Sequence, residues 1–364
     1  MNAVSTLLQA EQRDGYLPGY WEGYRFGGCQ AVLGRIPVQP PDLFNLRVLY
    51  VPQGFDAIDQ SIIAALKESA AELEVSLPGG MLEKAVSMQP DLVLVMNGLH
   101  VFPPEHTQHV DQIRARGIKV AVWFVDDPYF SDDTALLAPH YDEVFTHELT
   151  GVQLYRELGC TRVHYLPLAA GPELYLPQQV GEQYQYDICF IGNAFWNRAA
   201  LFDEMASFLQ GKKVFIAGGF WERLHEGQKL SSFIRSGWIA PEETARYYNG
   251  AKIVINLHRP TEPGQDNRNS RGLAGSSINP RTYEISACGT LQITDVREDL
   301  TDYYRPGYDI ETFSSTAELQ EKIAYYLGNE QERAAVAWRS LLTTRKYHTY
   351  RDRISRLLAA VSKA

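Results

Sequence analysis

The chain has 364 residues, 45% hydrophobic and 21% charged, which is too long for one ordinary core and apolar enough for two. Its formal net charge of −10 excludes a general nucleic-acid binder, which needs surplus Lys and Arg to neutralise phosphates, but leaves room for one local cationic pocket. No apolar run reaches the roughly 20 residues that span a bilayer, the start MNAVSTLLQAEQRDG lacks a signal-peptide pattern, and Cys29, Cys160, Cys189 and Cys288 are too dispersed for a metal site or disulfide framework.

The expectation is therefore a cytoplasmic protein, with peripheral attachment to a surface or particle left open. In chain order, residues 1–44 form an extension in which Leu7–Gln12 suits a helix. Glycines 15, 19, 23, 27 and 28 then alternate with Tyr16, Tyr20, Trp21, Tyr24 and Phe26, aromatics suited to packing on a domain surface. Prolines 37, 40 and 41 close it as a linker. LRVLYVP from Leu46 reads as a buried strand, and Ala57–Leu73 as a helix with Ile58, Ile62, Ile63 and Leu66 on one face. DLVLVMN (91–97) is a strand and Pro104–Gly117 a helix ending in glycine. KVAVWFV (119–125), EVFTHE (143–148) and HYLPL (164–168) are further strands. Residues 171–184 carry no periodicity and read as the link between domains.

The pattern then restarts. YDICFIG (186–192), KVFIAGG (213–219), KIVINLH (252–258) and TLQIT (290–294) are strands, separated by helices at Trp196–Leu209, Pro241–Asn249 and Pro280–Cys288. Thr316–Leu327, Glu330–Tyr350 and Tyr350–Val361 are helical. Strands alternating with helices predict parallel sheets. The fold class is α/β: two Rossmann-like, doubly wound domains, 45–170 and 185–345, facing each other across a cleft at their strands' carboxyl ends. A C-terminal helix, 346–364, can cross back to the first domain.

The window SSINPRTYEISACGTLQITD (276–295) is the most informative. Proline at a first helical position and a polar loop before it mark a helix start, whose free N–H groups and dipole favour a phosphate. Arg281 in the first turn adds a bidentate donor. Glu284, one turn on, suits hydroxyls such as those of a ribose rather than a phosphate. Arg198, near the start of another helix, has a phosphate reading and a surface reading. His258 and Arg259 end a strand on the cleft side, with a functional and a structural reading evenly matched. Gly192, Gly218 and Gly219 mark tight turns that can approach a phosphate. Asp126 and Asp127 follow a strand on the cleft side and suit a general base or support for a developing positive charge, or merely a turn before Pro128. Asp56 and His100 are weaker candidates of the same kind.

The same window resembles the donor-binding segment of GT-B glycosyltransferases, and most resembles the CgeB-like, spore-maturation type: Asn279, Arg281, Tyr283, Glu284, Ala287, Gly289, Thr294 and Asp295 match its pattern. WFVDDP (123–128), YDICFIGN (186–193) followed by Arg198, and KYHTYRDRISRLL (346–358) match three further pieces in order. The resemblance implies transfer of a hexosyl or N-acetylhexosaminyl group from a nucleoside-diphosphate sugar, UDP-linked for preference, to a protein or glycan acceptor at a spore or cell surface. It implies no cofactor and no metal. Glu284 would bind the ribose, Asn279 and Arg281 would border the diphosphate, and Gly237, Trp238 and Ile239 would hold the base. Many retaining members place a second glutamate eight residues before the one matching Glu284. Ser276 stands there, so the stereochemical course stays open. Two other readings are a nucleotide-sugar epimerase of similar fold and a non-catalytic assembly protein with a degenerate site. A dehydrogenase is disfavoured, because neither VPQGFD nor IGNAFW carries GxGxxG.

Overall fold

Two parallel six-stranded sheets organise the computed structural model, which describes residues 3–264 and 266–363. The first holds β1 (Phe44–Val51), β2 (Ala70–Val75), β3 (Leu92–Met96), β4 (Lys119–Phe124), β5 (Glu143–Thr146) and β6 (Val163–Tyr165), in the order β2-β1-β3-β4-β5-β6. The second holds β7 (Tyr186–Ile191), β8 (Val214–Gly218), β9 (Ile234–Ser236), β10 (Ala251–Asn256), β11 (Leu291–Asp295) and β12 (Glu311–Phe313), in the order β12-β11-β10-β7-β8-β9. Strands such as β3, LVLVM, are buried at every residue because helices cover both faces of each sheet. Strand order reverses between β1 and β3 and between β7 and β10, and crevices for ligands open at such switch points.

The chain ends on the first domain. The Glu330–Tyr347 helix lies on the second domain, the chain turns at His348, and a capping box of Thr349 and Asp352 starts the Tyr350–Ser362 helix. That last helix buries Tyr350, Ile354, Leu357 and Leu358 in the first domain's core beside Ile62 and Trp123. Arg353, fully buried there, donates from Nε to the carbonyl of Pro167 at 2.9 Å. The segment 171–184 between the sheets is irregular apart from a turn of 3₁₀ helix beginning at Glu182.

The local expectations fail in three places. The helix expected over Ala57–Leu73 is Asp56–Ser69, and the chain passes directly into edge strand β2, whose AAELEV turns alternate residues to either face. Short edge strands β9 and β12 carry too few residues to show a period. The N-terminal segment is one helix, Ala3–Leu33, running through all five glycines. Tertiary contact overrides glycine's poor helix propensity at its C-terminal end. Trp338 donates its indole N–H to the carbonyl of Arg25 at 2.9 Å, a Cβ on Gly28 would collide with the Trp338 ring, and Cys29 is buried. Tyr24 packs on Trp338, whereas Tyr16 and Tyr20 are exposed rather than packed on a domain surface.

The exits of β7 and β8 press together. Gly218 has φ of +136°, and a Cβ on it would overlap the Gly192 carbonyl. Neither the dihedral nor the backbone contact can relax, so Gly218→Ala is expected to cost about 3 kcal/mol or more. Thermal denaturation should show a large drop in midpoint. Gly219→Ala, which would meet only the Asn193 side chain at 3.3 Å, should show a small one.

Candidate functional site

Guanidinium groups gather where β7 and β10 end. Arg198 is buried and spends its donors on carbonyls: Nε and Nη2 on Leu257 at 3.0 and 2.7 Å, and Nη1 on Asn193 at 2.9 Å. The surface reading of Arg198 is thereby corrected; it ties the two strand exits together. Burial, then the charge of Arg281, pushes its pKa down. Arg281 is half-buried and its side chain has no hydrogen-bond or ion-pair partner among the described residues. Gly192 lies against both: a Cβ there would stand 3.2 Å from Arg198 Nη1 and 3.5 Å from Arg281 Nη2. Arg259 leaves β10, donates from Nε to Asn267 at 2.9 Å, and lies over the rings of Phe195 (4.3 Å) and Tyr129 (4.4 Å). A chain of net charge −10 thus concentrates cations at one crevice.

The helix start beside them offers less backbone than its sequence suggests. Asn279 is the N-cap: its side chain accepts from the Thr282 N–H at 3.1 Å and donates to Asn256 at 2.9 Å. Its own N–H goes to His258 Nε2 at 2.9 Å. His258 therefore carries its proton on Nδ1, 2.6 Å from Asp295. Burial lowers the His258 pKa although Asp295 opposes it; burial alone would raise Asp295, and His258 with Arg297 outweighs it. Asn279 and His258 thus build the helix mouth, and the geometry leaves neither side chain free to border a diphosphate. Pro280 has no N–H, and the next one, that of Arg281, has no partner among the described residues.

Glu284 is 7% exposed and also has no hydrogen-bond or ion-pair partner among the described residues, which rules out a solvated helix face. Burial raises its pKa to about 7, with Arg281 opposing. It disfavours ionisation of Tyr175, Tyr248 and Tyr350, which surround it. In the unfolded chain this carboxyl ionises near pH 4.5, so between about 4.5 and 7 the folded state holds the extra proton and loses stability as pH rises. Glu284→Gln is expected to raise the thermal midpoint by a few degrees at pH 8, with the two proteins converging toward pH 4.5.

Gly237, with φ of +103°, donates its N–H to Gly218 at 3.0 Å. Trp238 beside it is 73% exposed, and Ile239 is 5% exposed and packed in the core, so of the pair only the indole is free to cover a ring.

In the first domain, the two aspartates after β4 part company. Asp126 faces the cleft: Asn97 Nδ2 donates to its Oδ2 at 3.0 Å, burial raises its pKa, and Arg259 from the opposite domain lowers it. Asp127 is fully buried, takes hydrogen bonds from Thr146 and Tyr155, and is pushed up to about 8 by burial. It belongs to the interior and leaves the catalytic set. His100 is exposed and packs its ring on Phe130 at 4.6 Å, while Asp56 is exposed at a helix start. Among the described residues no three His, Cys, Asp or Glu side chains stand together as metal ligands.

Sequence reasoning passed over the residues after β5. His147 is buried, with Nε2 3.7 Å from Asp127, and its ring nitrogens have no hydrogen-bond partner among the described residues. Glu148 reaches across to the second domain. The loop 259–278 docks on the first domain, residue 265 lying outside the description: Arg268 N–H donates to Tyr129 O at 2.7 Å, Ser131 Oγ to Asn269 at 2.5 Å and Thr150 Oγ1 to Ala274 O at 2.6 Å. The sequence signal was present, since EVFTHE puts two ionisable residues at the carboxyl end of a buried strand. A cavity of about 460 Å³ also lies under the N-terminal helix, away from the cleft. Its cations are already bonded, Arg25 to Gly289 O and Lys252 to Asp187, so it offers an anion less than the crevice does.

A family described as "Glycosyl transferase-like" matches residues 198–359. The Spore protein CgeB of Bacillus subtilis (strain 168) is 28% identical over 301 residues, 80% of this chain and 91% of its own. Among solved structures, Anabaena Alr3699/HepE in complex with UDP and glucose superposes with a TM-score of 0.62 at 9% identity, over 88% of this chain and all of its own. Sucrose-phosphate synthase from Thermosynechococcus elongatus superposes with a TM-score of 0.59 at 10% identity, over 87% of this chain and 98% of its own. The shared architecture is GT-B.

Proposed function

We propose that this chain, a CgeB-like glycosyltransferase of GT-B fold, takes its sugar from a UDP-linked donor and passes it to a hydroxyl of a surface protein or glycan. One observation carries the donor reading: Arg281, half-buried against Gly192, stands one helical turn from the buried Glu284, and neither side chain has a partner among the described residues. The first suits a diphosphate and the second a pair of ribose hydroxyls, while Trp238 is placed to cover the base. Alr3699/HepE, of the same fold, was crystallised with UDP and glucose, which supports UDP over other carriers.

In the proposed reaction the acceptor oxygen bonds to the anomeric carbon, the bond from that carbon to the β-phosphate oxygen breaks, and UDP leaves with the bonding pair. Arg281 and Arg259 meet the charge that develops on the diphosphate, so the proposal calls for no metal. Asp126, across the cleft, is placed to take the acceptor's proton or to steady the positive charge at the ring. No helix among the described residues is long and apolar enough to cross a membrane, and the spore-protein relative supports a protein acting at a spore or cell surface.

The test is a panel of UDP-hexoses and UDP-N-acetylhexosamines scored for binding by calorimetry and for slow hydrolysis. At least one should bind and release UDP. A folded protein that binds none of them would refute the reading.

A further inference from the structure

The segment leading into the Pro280–Ala287 helix is neither helix nor strand, so no backbone ladder satisfies its N–H groups. Four consecutive ones go to buried side chains. Ser276 N–H donates to Glu148 Oε1 at 3.0 Å and Ser277 N–H to Glu148 Oε2 at 3.3 Å. Ile278 N–H donates to Asp299 at 3.0 Å, and Asn279 N–H to His258 at 2.9 Å. Asp299 and His258 belong to the second domain; Glu148 belongs to the first.

We infer that Glu148 is a positioning residue for the donor site, gripping from across the cleft the strand of chain that sets the helix bearing Arg281 and Glu284. The inference rests on the donor reading proposed above. A carboxylate 1% exposed, flanked by Asp127, is costly to bury unless it is fully bonded. This one is: besides Ser276 and Ser277 it accepts from the Thr150 N–H at 3.3 Å and the Thr150 hydroxyl at 3.2 Å. Both oxygens take donors and the residue is 1% exposed, so the carboxylate is turned into the interface rather than toward a substrate. Among the described residues its reach into the second domain is to Ser276 and Ser277, four and three places before Pro280. The arrangement adds a hold from the first domain to those of Asp299 and His258, so the segment before the donor helix is fully held when the two domains approach. By reciprocity, a nucleotide that needs that helix in place favours the approach.

Glu148→Gln keeps the shape but turns an N–H donor toward a backbone N–H. We expect UDP to bind at least tenfold more weakly by calorimetry. In the hydrolysis assay the donor KM should rise while kcat at saturating donor stays within twofold, a split that general loosening of the fold would not produce. Ser131→Ala removes another bond between the domains on the same loop, and Asn269 Oδ1 keeps the Leu273 N–H at 2.9 Å. It should bind UDP as the parent does. If Glu148→Gln does not fold, Glu148→Asp, whose shorter arm reaches one of the two N–H groups, should show a several-fold loss. Unchanged UDP affinity in the folded Glu148 variant overturns the inference, as does an equal loss in Ser131→Ala. A parent chain that binds no UDP removes the donor reading itself, and this inference with it.

Discussion

Arg281→Ala should weaken UDP binding by roughly 30- to 150-fold and leave the thermal midpoint at or above that of the parent. The size follows from one charge-assisted contact to a phosphate, about 2–3 kcal/mol. The unchanged stability follows from the folded structure: the Arg281 guanidinium has no bond to lose among the described residues, and its removal relieves Arg198, whose charge it opposes. Arg198→Ala is the contrast. It would strip the Leu257 carbonyl of both Arg198 donors and the Asn193 carbonyl of one of its two, and should unfold the domain rather than weaken binding selectively. Calorimetric titration and a melting curve on the same preparations separate the cases. An Arg281→Ala protein that binds UDP within threefold of the parent would mean the phosphates sit elsewhere. Glu284→Ala supplies an independent check: it should lose affinity for UDP but not for 2′,3′-dideoxy-UDP, which lacks the hydroxyls that carboxylate would hold.

The parts of this site that the sequence discloses are those written in local chemistry. Pro280 after Asn279 marks a helix start because proline fits the first turn and asparagine the cap. LVLVM and KVAVWF mark buried strands because a sheet covered on both faces needs no polar alternation. What stays hidden is which of two acceptors or donors a neighbour consumes. Asn279 looks like a phosphate contact until His258 and Thr282 are seen to occupy it. The N-terminal helix stays hidden for a different reason, because the Trp338 that accommodates Gly28 lies over 300 positions away, |i−j| being 313 for the Arg25 contact. Glu148 is legible as an ionisable residue at a strand end, but its partners, Ser276 and Ser277, are 128 and 129 positions downstream.

Asp126 and Asp127 show the same limit within one dipeptide, and they frame the second large effect. Successive side chains at the end of a strand point to opposite sides, so one of a pair of aspartates can face the cleft while the other enters the core. Asp126 faces Arg259 and is aimed by Asn97, whose Oδ1 also accepts the Val125 and Asp126 N–H groups at 3.1 and 3.2 Å. Asn97 itself sits at φ of +61°, an uncommon dihedral kept where it fixes this carboxylate. Asp126→Asn keeps the volume and removes the charge. It should lower kcat by roughly 10²- to 10⁴-fold, the span of a positioned acid or base, with donor KM near the parent value because the proposed nucleotide site lies on the other domain. Asp127→Asn should retain most of the turnover, since burial already holds that carboxyl protonated at neutral pH, with a pKa of about 8. Steady-state rates for the two variants on one UDP-sugar decide between the neighbours, and full turnover in Asp126→Asn would remove it from the chemistry. The anomeric configuration of the product then separates its two possible tasks: inversion fits a carboxylate that takes the acceptor's proton, and retention one that steadies the charge on the sugar ring.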